Sequence, residues 1–103
     1  MVYCHCASCR RHTASPVTCF VNWNLTRVRF SGERSIYASS PGVSRSFCAT
    51  CGTPLAYETE RRPDEIDIYI NVFDHPEAFT PQKHVYHAEH IPWFDVHDEL
   101  PRE

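Results

Sequence analysis

An all-β domain is the fold this sequence predicts, and three observations lead there. Short β-branched and aromatic runs recur at close spacing, eight prolines and three glycines punctuate them, and helical periodicity is scarce. Taken along the chain, Ser8 to Thr13 reads as no more than a turn after an opening cysteine cluster. Val17 to Trp23 and Val28 to Phe30 read as strands, and Ser31, Gly32 and Glu33 as a hairpin turn before a further strand in Ser35 to Ser39. Pro41 and Gly42 make the next turn. Val43 to Phe47 then runs into Cys48, and Thr53 to Tyr57 leaves Cys51, so these two cysteines fall on a hairpin tip. Ile66, Ile68 and Ile70 alternate with Asp67, Tyr69 and Asn71, a period of two that buries one face of a strand. Pro76 to Phe79 reads as a short turn with Pro at a helix start, Lys83 to His87 as a last strand, and Ile91 to Glu103 as an ordered, irregular tail.

The 103 residues leave room for a single domain spanning 1–103. A chain of this size builds a thin core, for which a covalent or metallic staple compensates. Ten Lys and Arg against 13 Asp and Glu leave a formal charge of -3 with no basic stretch, which argues against nucleic-acid and membrane-surface binding. No run approaches the roughly 18 apolar residues of a membrane span, and the opening MVYCHC lacks the features of a signal peptide, so a soluble, cytoplasmic protein is expected.

The chemistry concentrates in the cysteines. Cys4, Cys6 and Cys9 form a C-x-C-x-x-C cluster, and Cys48 and Cys51, followed by Gly52, form a C-x-x-C knuckle of the kind that folds two thiolates onto one zinc. Disulfides are the competing reading of six cysteines, disfavoured by the missing secretion signal and by the poor bridging of near neighbours such as Cys4 and Cys6. Cys19 sits in an alternating apolar run and reads as a small buried hydrophobe. Two partitions of the other five remain open. Cys6, Cys9, Cys48 and Cys51 can close one structural Cys₄ site, making the protein a zinc-stabilised binding or structural module. Alternatively Cys4, Cys6 and Cys9 hold one Zn²⁺ and leave a fourth position for a thiol substrate.

CHCASCRR, then SSPGVSRSFCATCGTPLAY, then the stretch from EIDIYINVFDHPEAF to PWFDVHDELP together resemble the glutathione-dependent formaldehyde-activating enzyme (GFA) family. The resemblance runs through nearly the whole chain. It implies a β-tent of short antiparallel strands stapled by zinc, with Cys4, Cys6 and Cys9 as ligands of a catalytic-type zinc and Cys48 and Cys51 as half of a structural site. The other half in that family is an upstream C-x-C-G motif, absent here, so the chain reads as lacking the family's first strands. A tent so shortened exposes strand edges, and a homodimer is the expected way to cover them. The implied activity is that of a carbon-sulfur lyase joining glutathione to formaldehyde or a related small aldehyde. For the glutathione itself, Arg10 and Arg11 are candidate carboxylate clamps, and Trp93 is a candidate pocket wall whose competing reading is a core plug. Of the seven histidines, His5 and His12 lie nearest the cluster in sequence. His5, between two ligands, must point away from a shared metal. His84, His87 and His90 recur every third residue, in a segment that reads as strand and loop rather than as a further metal site.

Overall fold

The computed structural model describes all of residues 1–103. Seven strands form one sheet: β1 (Val2–Cys4), β2 (Thr18–Asn24), β3 (Arg34–Ser40), β4 (Val43–Cys48), β5 (Pro54–Thr59), β6 (Glu65–Tyr69) and β7 (Lys83–Val85). Their order across the sheet is β3-β4-β5-β6-β2-β1-β7, with only the β1–β7 pair parallel. The mostly β expectation holds, with one short helix, α1 (Ala7–Thr13), where a turn was expected. No helix is long and apolar enough to cross a membrane.

Alternation in β6 sorts the core. Ile66 and Ile68 are buried with Ala56 on one face, backed by Trp23, Val28 and Phe30. Tyr69 points to the other face, where its ring stacks on that of its register partner Phe20 at 4.5 Å beside Cys4 and Cys9. The period of two read from the sequence therefore places the second, polar-and-aromatic set of β6 toward the cysteine cluster.

Three expectations need correction. Val28 to Phe30 is not a strand: the Asn24 side chain accepts the Thr26 amide at 3.0 Å, starts a 3₁₀ turn over Leu25–Arg27 and ends β2 there. Val28 and Phe30 spend their apolar surface on the Ile66–Ile68 cluster instead of on strand pairing. The segment around Gly32 is accordingly no hairpin tip, since β3 pairs forward with β4 through the Pro41–Gly42 turn. Lys83 to His87 is also shorter than expected, because Tyr86 takes a left-handed φ of 53° and turns the chain after Val85. The β1 strand, three residues long, shows no readable period and went unseen in the sequence.

Candidate metal centre

Cys4 ends β1 and is buried; the chain turns at His5, and Cys6 becomes the N-cap of α1, its sulfur accepting the Cys9 amide at 3.3 Å. This is the capping role usually taken by a short polar side chain. It folds the C-x-x-C half of the motif so that Cys9, buried in the first turn, faces back toward Cys4. The two sulfurs are 3.7 Å apart, and the donor atoms of Cys4, Cys6 and Cys9 all lie within 4.8 Å of one another. Tetrahedral Zn–S bonds of about 2.3 Å would set sulfurs about 3.8 Å apart, so the trio fits a thiolate-held metal ion. Hydrogen bonds with Cys6 and Cys9, then burial, push the Cys4 thiol up, while hydrogen bonds from Cys4 and Cys9 pull Cys6 down.

The trio borders a cleft of about 640 Å³. Its floor is one face of the sheet, as register shows: Phe20 and Asn22 of β2, Arg45 of β4, Tyr57 of β5 and Asp67 of β6 all line it. Asn22 and Arg62 both hold Asp67, each at 2.7 Å. A cleft of this size suits a small ligand.

Cys48 and Cys51 are not part of the group. Cys48 lies three residues beyond Arg45 on β4, a displacement of about 10 Å at the usual strand rise, and the hairpin tip carries Cys51 into solvent with its sulfur 3.0 Å from the Thr53 hydroxyl. Gly52 makes that tip with φ of 80°. The closed site of Cys6, Cys9, Cys48 and Cys51 is therefore not assembled, because the two knuckles sit at different places on the sheet. Cys19 lies outside the metal group but is half-buried rather than fully buried; burial pushes its thiol up to about 11.

Three residues expected around glutathione are elsewhere. Arg10 donates to the backbone carbonyls of His5 and Glu89 at 3.0 and 2.9 Å, which ties α1 to the turn after β7, and Arg11 is exposed. Trp93 is 76% exposed and is not among the residues that line the cleft, so it is neither core plug nor cleft wall. His12 stacks on Tyr69 with ring centroids 5.7 Å apart.

His5 does point away from the cluster. Its Nε2 lies 2.8 Å from His84 Nδ1, and His84 Nε2 lies 3.0 Å from Asp98. An ionised Asp98 only accepts, so His84 donates to it from Nε2. Burial, then the neighbouring His84, His87 and His90, hold His5 down at about 4 and keep it neutral.

Sequence reasoning did not single out Arg45 or Tyr69. Arg45 is only 4% exposed and donates from Nη1 to the Tyr69 hydroxyl at 3.2 Å and to Cys9 Sγ at 3.5 Å. The signal was present in VSRSF, where Arg45 shares the parity of Val43 and Phe47, the side of the strand expected to be covered.

No curated protein matches the chain. The family described as glutathione-dependent formaldehyde-activating enzyme matches residues 1–89, a span that takes in all seven strands and the whole cysteine trio, and the chain belongs to that family.

Proposed function

We propose that this protein is a zinc-dependent, carbon-sulfur lyase-like enzyme that adds the thiol of glutathione to formaldehyde or a related small aldehyde in a reducing, cytoplasmic setting. The observation that carries the reading is the trio of Cys4, Cys6 and Cys9, whose donor atoms approach within 4.8 Å at the edge of an open cleft and which no fourth protein donor joins. Three protein ligands and one exchangeable position is the pattern of catalytic rather than structural zinc. Bound there, zinc would lower the pKa of a thiol that takes the remaining position, making thiolate available at neutral pH.

The residues of the chain supply the rest. Cys6, capping α1, and Cys9, one turn on, hold two sulfurs at a fixed separation, and β1 delivers the third. Phe20 and Tyr57 give the cleft apolar wall, and Asn22, Asp67 and Lys83 give it polar groups. In the reaction the glutathione sulfur bonds to the aldehyde carbon, the carbonyl π-pair moves to oxygen, and the proton lost by the thiol is returned there. The addition is feasible without a catalyst, so proximity is the main contribution asked of the protein.

The reading is tested on purified, zinc-loaded protein. One zinc per trio, glutathione binding by calorimetry and formation of S-hydroxymethylglutathione faster than in buffer are expected. Zinc held by the trio with no affinity for glutathione would overturn the proposal.

A further inference from the structure

Arg45 is a charged side chain placed where charge is expensive. It is 4% exposed, no carboxylate reaches its guanidinium, and its Nε is buried with no hydrogen-bond partner. What it touches is the Tyr69 hydroxyl, Cys9 Sγ and the face of the Tyr57 ring, 4.9 Å from the guanidinium carbon. A buried guanidinium without a counter-ion is strongly destabilising, so an anion at Cys9 is what the arrangement calls for. Zn²⁺ with three thiolates carries one net negative charge, and a fourth thiolate makes it two. That second charge is the electrostatic obstacle to the chemistry proposed above.

We infer that Arg45 is the fixed counter-charge of the cysteine trio, a positioning residue that acts through Cys9 to let the centre accept a further thiolate of any kind. The inference rests on the proposed function and adds to it a reason for thiol capture that is independent of the glutathione peptide. A thiol that joined a metal held there would give up its S–H proton to buffer, and Arg45, 3.5 Å from Cys9 Sγ, would offset the charge that stays behind. Its place is set by register, since Arg45 lies opposite Tyr57 on the adjacent strand and on the cleft face of the sheet. The Tyr69 hydroxyl and the Tyr57 ring both contact the guanidinium, and the residue is 4% exposed.

The test uses full-length protein loaded with Co²⁺, whose thiolate charge-transfer absorption reports each added sulfur. Wild type, Arg45→Met and Arg45→Lys are titrated with glutathione and with 2-mercaptoethanol, a thiol without carboxylates. Between an effective dielectric near 20 inside the protein and near 80 in the open cleft, removal of one charge about 4 Å away corresponds to a weakening of between about fivefold and about a thousandfold. Arg45→Met is therefore expected to keep its cobalt and bind both thiols more weakly by about fivefold at the least, with Arg45→Lys recovering most of the loss. Loss of cobalt from Arg45→Met but not from Arg45→Lys would also support the inference, as the same charge requirement felt one step earlier. Three results overturn it: Arg45→Met binding both thiols like wild type, a loss confined to glutathione, which would make Arg45 a carboxylate clamp, or equal losses in the Met and Lys variants, which would make its role one of packing. A wild-type spectrum that neither thiol changes would instead remove the proposed function itself.

Discussion

At the scale of single residues, the six cysteines are chemically distinct although none is bridged. Cys6→Ser is expected to release the metal and abolish glutathione binding, because a hydroxyl, although a good cap for the Cys9 amide, is a poor ligand beside two soft thiolates; unchanged zinc by elemental analysis would contradict this. Cys19→Ala should leave zinc content intact and change stability by only about 1 kcal/mol, read from urea unfolding. The hydrogen bond from the Thr53 hydroxyl lowers the exposed Cys51 thiol, whereas burial raises Cys19 to about 11. At pH 8 iodoacetamide should accordingly modify Cys51 well before Cys19, and peptide mass mapping that finds the reverse order would show the two environments misjudged.

At the scale of elements, β6 is the strand that separates core from site. Ile66 and Ile68, 1% and 4% exposed, hold its inner face, and Asp67 and Tyr69 go to the cleft side. Removing the inner anchor should damage both faces. Ile68→Ala is expected to cost about 2–5 kcal/mol, the range for large-to-small changes in a packed core, with weaker zinc retention as a secondary effect. Chemical denaturation of the zinc-loaded variant provides the measurement, and a loss under 1 kcal/mol would mean the site collapses around the change. This strand was legible in the sequence because alternation needs only five residues to declare itself. Val28 to Phe30 was misread for the complementary reason: apolar residues packed from a loop and apolar residues in a strand look alike when the run is three residues long.

At the scale of the whole molecule, the two sheet edges are treated differently. β3 presents Ile36 and Tyr37 to solvent, whereas β7 is covered by the tail. The His84 amide donates to the Pro101 carbonyl and the Glu103 amide to the His84 carbonyl, both at 2.8 Å. Asp98 clasps the arrangement from the side, accepting from His84 Nε2 and from Arg102 Nη1 at 2.7 Å. Burial alone would raise its carboxyl, but the hydrogen bonds from His84, Arg102 and the Leu100 amide outweigh this and hold it at about 2. Because the folded value is depressed, the clasp contributes fully above the unfolded carboxylate range near 3.9 and is lost as pH falls through about 2. Asp98→Asn should remove that acid-sensitive contribution and speed hydrogen exchange in residues 96–103 at neutral pH. Exchange in the variant identical to wild type would show that the backbone pairing suffices to hold the tail.

How much of this was readable beforehand depends on distance along the chain. The metal trio was visible in the sequence because its three donors fall within six residues, and a helix cap and one turn are enough to bring them together. The β character was visible for a similar reason, as alternation and turn residues are local. What faces the trio was decided only by the fold. Arg45 reaches Cys9 across 36 positions and His5 meets His84 across 79, contacts set by strand register and by a parallel β1–β7 pairing that no local pattern encodes. The same long-range placement sent Cys48 and Cys51 to a separate corner and Trp93 to solvent, so the thiol trio that could hold a metal was a property of the sequence and its electrostatic setting a property of the sheet.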